Sequence, residues 1–281
     1  MNSLVITGGN TGIGKAIALK LAKENNHVII TSRDPEKGRK ALLDIQSITQ
    51  NKNVEMVQAD LGSIEGCCKL AEELSIKYPK INVLINNAGV WKTRLELNSD
   101  GLESTFMVNY LAPFILSNNL LEVLTRNAPA RIINVNAGLY IKGKADINKT
   151  PTGKDFNKFG TYANTKLCNV LFTRELACRL EGTGVTVNAV HPGVIKTNLG
   201  DSPGMLGIFL KLIKLFWKSP AQGAEAPVWL STSPELQNVN GKYFMLKKEI
   251  DYFENAKDEE LQGRLWEFSE KLLEEHSLLR K

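Results

Sequence analysis

Residues 7–14 constrain the fold of this chain more than any other stretch. Leu4-Val5-Ile6 is a short apolar, β-branched run that reads as a buried strand. Thr7-Gly8-Gly9-Asn10-Thr11-Gly12-Ile13-Gly14 follows, and Lys15 to Lys23 has the pattern of a helix. A strand, a glycine-rich turn and a helix in that order form a phosphate cradle. The glycines let the backbone approach a pyrophosphate, and the helix start offers free N–H groups and the positive end of its dipole. The spacing is Gly-x-x-x-Gly-x-Gly, which differs from the Gly-x-Gly-x-x-Gly of the usual dinucleotide fingerprint.

Strand-like runs recur beyond this turn, at Val28–Thr31, Val54–Gln58, Val83–Ile85, Ile132–Val135, Val185–Val190 and Tyr243–Leu246, with helical stretches between them. That alternation predicts a Rossmann-type, doubly wound parallel sheet in a three-layer α/β/α arrangement. At 281 residues and 43% hydrophobic content the chain can bury one large core, and no repeat or linker divides it. A single domain over 1–281 is expected. The polar stretch Leu139–Gly160 reads as a long surface loop.

A second signature lies in Tyr162-Ala-Asn-Thr-Lys166. On a helix, residues four apart leave the same face one turn apart. An ammonium beside a phenol favours the phenolate, so such a pair is expected to lower the tyrosine pKa and suit it to proton transfer.

Several separate segments, in order, resemble the short-chain dehydrogenase/reductase family over nearly the whole length, and its retinol dehydrogenase and WW-domain oxidoreductase-like branch most closely. Thr7–Gly14 is similar to the family's cofactor loop. Asn86-Asn87-Ala88-Gly89, after the apolar Val83-Leu84-Ile85, resembles its fourth-strand motif. His191-Pro192-Gly193, with Val194 and then Thr197, resembles its segment near the nicotinamide. The run from Thr165 to Ala177 and the stretch around Val190 to Val194 carry the likeness to the branch.

The resemblance implies an enzyme in which Tyr162 is the general acid for carbonyl reduction or the base for alcohol oxidation. Lys166 would hold the nicotinamide ribose and lower the tyrosine pKa, and Asn109 would hold a proton-relay water. Cofactor contacts are implied for Gly8, Asn10, Thr11, Gly12, Ile13, Gly14, Ser32, Arg33, Asp60, Leu61, Asn87, Ala88, Gly89, Tyr162, Lys166, Pro192, Gly193, Val194 and Thr197. The end of the second strand reads Thr31-Ser32-Arg33-Asp34. A planar cation with a small donor beside it suits a 2′-phosphate, so NADP(H) is expected over NAD(H), with Asp34 either paired to Arg33 or facing solvent. Asp60 is expected to cap the turn that follows it.

One member of the family's catalytic set is missing. The serine that donates to the substrate oxygen falls on Ala137, with Asn136 before it. Alanine donates nothing, and loss of one such donor costs ~100- to 1000-fold in rate. Either Asn136 swings its amide into the site, the substrate brings its own polar group, or the chemistry has moved to a reaction that needs no serine, such as conjugate C=C reduction of an enone, a proton-transfer isomerisation or cyclisation, or cofactor binding without turnover.

Met205–Trp217 is strongly apolar, with Lys211, Lys214 and Lys218 on one helical face. By position, residues 198–220 resemble the family's substrate lid, which implies a small hydrophobic carbonyl or alcohol substrate. A basic amphipathic helix over 205–218 also suits peripheral membrane contact, though it is too short and charged to span a bilayer. A C-terminal helix over about 257–279, carrying Trp266 and Phe268, is expected to cover the core. Cys67, Cys68, Cys168 and Cys178 lack metal-site spacing, so no metal is expected. With the first strand beginning by Leu4 no signal peptide is expected, and a cytoplasmic location follows. A net charge of +5 from scattered lysines does not favour nucleic acid. Pairing of copies through the Tyr162 helix is a further expectation from the resemblance.

Overall fold

The computed structural model describes residues 2–194 and 219–276. Thr197, the expected lid apart from Ser219 and Pro220, and the segment 205–218 lie outside the described residues. The first half of the chain runs β1 (Ser3–Ile6), α1 (Gly12–Lys23), β2 (His27–Ser32), α2 (Pro35–Thr49), β3 (Val54–Gln58), α3 (Ile64–Lys77) and β4 (Val83–Asn86). Then come α4 (Ser104–Phe106), a π turn over Met107–Leu111, α5 (Ala112–Asn119), α6 (Leu121–Arg126), β5 (Ala130–Val135), α7 (Gly160–Arg179) and β6 (Val185–His191). After residue 219 follow α8 (Pro220–Gly223), α9 (Glu225–Thr232), β7 (Tyr243–Met245), β8 (Lys248–Ile250) and α10 (Glu259–Glu275).

The strands form one eight-stranded sheet in the order β3-β2-β1-β4-β5-β6-β7-β8. Every pairing is parallel except β7 with β8. The expected strands are all present. β8 was not foreseen, because Lys248-Glu249-Ile250 is a short polar run at the edge of the sheet, paired among the described residues with β7.

Both faces of the sheet are covered, which is why β1, β2 and β4 are buried along nearly their whole length. Successive side chains still go to opposite sides. Val5, Ile29, Leu84 and Ile132 join the core under α3, α5, α7 and α10. Leu4, Ile6, Ile30, Ile85 and Ile133 join the core with Ile17 and Leu21 of α1, Ile45 of α2 and Leu230 of α9. Strand order reverses between β1 and β4, so the connections leaving these two strands diverge and open a crevice at their carboxyl ends. β5 and β6 run parallel to them, so the segments after all four strands gather at that edge.

The stretch from Leu139 to Gly160 is more ordered than a surface loop. It contains 3-10 turns over Gly138–Lys142 and Thr150–Thr152, and Tyr140 within it is buried against Tyr243. Glycine, lysine and asparagine dominate its composition and hide one aromatic anchor.

Candidate active site

The cradle after β1 is built by close approach. Gly8 has φ +63°, a left-handed conformation that glycine adopts without strain. A Cβ on Gly14 would stand 2.3 Å from the Gly8 carbonyl oxygen, so that position cannot carry a side chain. Gly8 N–H donates to Thr31 Oγ1 (3.2 Å) and Gly9 N–H to the Thr31 carbonyl (3.1 Å), tying the turn to β2. Thr11 is the N-cap of α1 but makes no side-chain cap, and no acidic residue lies in the first turn. The first N–H groups of α1, with Asn10, Thr11, Gly12 and Ile13 at the partly open surface of the turn, are therefore left for an anion.

Thr7 locks this turn to the loop after β4. Its hydroxyl accepts from Asn87 N–H and Ala88 N–H, both at 3.0 Å. Asn87 Nδ2 donates back to the Thr7 carbonyl at 2.9 Å and the Gly8 carbonyl at 3.3 Å. Asn87, Ala88 and Gly89 are thus beside the cradle, as expected. Thr7 is the part that sequence reading left without a role, although a threonine closing a strand before glycines was a visible signal.

At the end of β2, Asp34 is the N-cap of α2. Its carboxylate accepts from Glu36 N–H (3.0 Å) and Lys37 N–H (3.1 Å) and pairs with Lys37 Nζ (3.2 Å). These contacts hold its pKa below the ordinary carboxylate value. Asp34 therefore does not pair with Arg33; its carboxylate caps α2 from a solvent-facing position. Arg33 is exposed and, among the described residues, pairs with no carboxylate. Ser32 is buried next to it and donates to the Asp34 carbonyl at 2.8 Å. Asp60, exposed beyond β3, accepts from Gly62 N–H at 2.9 Å and caps that turn as expected; Leu61 beside it is buried.

Tyr162 and Lys166 lie in the first half of α7, buried under the ends of β4 and β5. Lys166 Nζ donates to the Val135 carbonyl at 3.0 Å and sits 5.8 Å from the centre of the Tyr162 ring. Burial pushes Lys166 down to about 8. Burial likewise pushes the Tyr162 phenol up, well above its ordinary value. Here the structure corrects the sequence reading: desolvation of both groups outweighs the attraction between them, so the tyrosine is not lowered by its lysine. Among the described residues nothing hydrogen-bonds the Tyr162 hydroxyl.

Asn109 occupies the π turn between α4 and α5. Its amide spans the chain, accepting from Val90 N–H (2.8 Å) and donating to the Val90 carbonyl (2.9 Å) and Thr165 Oγ1 (3.2 Å). A Cβ on Gly89 would lie 3.3 Å from Asn109 Oδ1 and 4.0 Å from Lys166 Nζ, so these three groups converge. Asn136, by contrast, does not swing into the site. Its Nδ2 donates to the Lys166 carbonyl (3.1 Å) and Asn169 Oδ1 (2.8 Å), and its Oδ1 accepts from Ala137 N–H (2.7 Å). A buried amide with donor and acceptor both engaged pins α7 to the end of β5. It is not a substitute donor to a substrate oxygen. Asn169, one turn beyond Lys166, also donates to the Asn109 carbonyl at 3.2 Å. Its spacing from Lys166 marked it as a residue on the same face, yet only the fold shows what it joins.

Pro192, Gly193 and Val194 follow β6 at the same edge, Gly193 with φ +94° and Val194 exposed. Trp91, which the sequence left unremarked, stacks on Tyr162. No group of His, Cys, Asp and Glu among the described residues is arranged to hold a metal ion.

The comparisons agree with this geometry. The family model for short chain dehydrogenase matches residues 2–203. Retinol dehydrogenase 13 of Mus musculus is 40% identical over 281 residues, an overlap of 96% of this chain and 83% of that protein. Retinol dehydrogenase 12 of Homo sapiens is 37% identical over 270 residues, covering 96% and 85%. Among solved structures, a putative uncharacterized protein from Mycobacterium paratuberculosis superposes with a TM-score of 0.78 at 26% identity, covering 98% of this chain and 94% of that one. The Pseudomonas aeruginosa RhlG/NADP complex shares the fold, with a TM-score of 0.68 at 23% identity over 87% of this chain and 94% of that one. With the cradle, the buried tyrosine–lysine pair and these likenesses together, the chain belongs to the short-chain dehydrogenase family, in its retinol dehydrogenase-like branch, and is an oxidoreductase.

Proposed function

We propose that this protein is an NADP(H)-dependent oxidoreductase that acts on the carbonyl or alcohol of a small hydrophobic substrate, with Tyr162 as its proton donor and acceptor. The observation that carries the reading is the convergence of Tyr162, Lys166, Asn109 and Gly89 beside a glycine cradle that no side chain can fill. The names of its relatives, retinol dehydrogenases, support a hydrophobic alcohol or aldehyde as substrate. Arg33, exposed beside Ser32 while Asp34 is committed to its cap, supports the 2′-phosphorylated cofactor.

When bound, the nicotinamide supplies the hydride for reduction or takes it up in oxidation. The residues of the chain do the rest. The glycine turn and the first N–H groups of α1 hold the pyrophosphate. Arg33, exposed beside the buried Ser32, would meet the adenosine 2′-phosphate. In reduction the Tyr162 O–H bond breaks as its proton passes to the carbonyl oxygen, leaving an alcohol, and the phenolate is reprotonated from solvent. Burial raises the Tyr162 pKa, so near neutral pH the phenol is in its protonated form, the one that donates in reduction. Lys166, as an ammonium, would steady the phenolate as it forms. Ala137 leaves the substrate oxygen one donor short, so turnover is slower than with a serine there.

The test is direct. Purified protein should oxidise NADPH with apolar aldehydes at a rate well above that with NADH, and Tyr162→Phe should abolish turnover while leaving NADPH binding intact. Unchanged turnover in Tyr162→Phe overturns the mechanism.

A further inference from the structure

Trp91 lies two residues past Gly89, on the loop that leaves β4. Its indole is stacked on the Tyr162 ring, with centroids 4.6 Å apart and planes only 15° from parallel. Phe159 meets the indole edge-on at 5.5 Å and is itself 62% exposed. The indole Nε1–H donates to the Lys158 carbonyl at 2.5 Å. The ring is therefore held by the phenol beneath it, by a hydrogen bond from its one polar atom, and by Phe159 at its side. Trp91 is only partly buried, whereas Tyr162 is 5% exposed. An aromatic plane thus covers the proton donor and presents apolar surface beside it.

We propose that Trp91 is a specificity-determining residue: its indole is the wall that a substrate meets at the reacting end, and it selects planar, conjugated carbonyl or alcohol groups over saturated ones. This rests on the oxidoreductase reading above. A carbonyl must come within one hydrogen-bond length of the Tyr162 hydroxyl. The indole lies almost parallel to the phenol, so a flat conjugated chain that continues the plane of the phenol beyond its hydroxyl would lay its π face along the indole. A saturated chain has tetrahedral carbons next to the carbonyl. Their hydrogens stand out of the plane and hold the chain away from the aromatic wall. Leucine at 91 would keep an apolar wall without the flat face, and phenylalanine would keep the face.

The experiment compares trans,trans-2,4-decadienal with decanal, which share length and reacting group. Parent protein, Trp91→Leu and Trp91→Phe are assayed for kcat/KM with NADPH. Equilibrium binding of both aldehydes to the NADPH-loaded proteins is measured alongside. The parent should prefer the dienal in both measurements. Trp91→Leu should lose about tenfold of that preference, the size expected of one aromatic stacking contact, and Trp91→Phe should keep most of it. Affinity for NADPH should be the same in all three, which shows that the variants fold and hold cofactor. A parent without preference, or a Trp91→Leu protein that retains it, overturns the assignment. Binding preference that behaves as expected without any turnover overturns the oxidoreductase reading instead and leaves Trp91 as a recognition residue.

Discussion

Two side chains decide the chemistry at the scale of the residue. Lys166 is buried with its ammonium on one carbonyl oxygen, and burial lowers its pKa to about 8. Below that pH the group is a cation, and above it the cation is lost. If the ammonium steadies the developing phenolate, kcat/KM for aldehyde reduction should be flat through neutral pH and fall as pH rises through about 8. Tyr162 adds no break in this range because burial raises it. Lys166→Arg, always protonated, should remove the fall, and a parent profile flat well above pH 8 would refute the role. Ala137 is the other residue. It is half-buried, extended, and follows directly on the pinned Asn136. Ala137→Ser adds a hydroxyl with no obligatory partner and should raise kcat/KM for simple ketones, by up to ~100-fold if the donor is well aimed. With Asn136 committed to its tether, no gain would mean that the substrate supplies its own polar group or that the reaction needs no donor there.

Elements hold these side chains in place through buried polar contacts that cross the core. Asn86 Nδ2 donates to Asn134 Oδ1 (2.9 Å), Asn134 Nδ2 to Thr173 Oγ1 (2.9 Å), and Thr173 Oγ1 to the Asn169 carbonyl (2.8 Å). β4, β5 and α7 are thereby fixed against each other at the depth of the site. A buried amide left without partners is costly, so this chain of bonds resists sliding of α7. The outer face of α7 is closed by α10. Trp266 is buried there, edge-on to Phe114 at 4.8 Å and stacked near Phe172 at 6.1 Å, with the Arg179 guanidinium 4.1 Å from its ring. Tyr110 bonds Ser269 at 2.7 Å across the same contact. Trp266→Ala should therefore cost about 3–5 kcal/mol of unfolding free energy in denaturant titration. Trp266→Phe should cost much less, since it also removes an indole N–H that finds no partner. A loss below about 1 kcal/mol for the alanine variant would show that α10 is not part of the cooperative core. The same cover bears on the expected pairing of copies: the face of α7 against Trp266 is occupied within one chain.

For the whole molecule, most of the architecture was legible in the chain itself. Apolar runs of strand length separated by helical periods dictate a parallel sheet with both faces covered, and glycines between a strand and a helix place the cradle. These are local signals, carried by neighbours in sequence. β8 was missed because it has the composition of a turn, and its strand character comes wholly from β7. Tyr140 was missed for the related reason that an aromatic in a polar loop looks the same buried or exposed, as the exposed Phe159 of the same stretch shows. Tyr162, Lys166 and Asn109 could be named from spacing and resemblance, but their states could not. Whether an ammonium lowers a phenol or burial raises it is a contest between solvation and a distance, and both are properties of the folded site. The sequence determined by itself that this chain builds a dinucleotide-type fold with a glycine cradle after its first strand and a tyrosine–lysine pair one helical turn apart, because periodicity, spacing and glycine placement are written locally. Only the tertiary structure decided that Asn136 is a tether, that Asp34 is a cap and that Trp91 covers the proton donor, because each hydrogen bond or stacking partner is chosen by packing among segments the chain keeps apart.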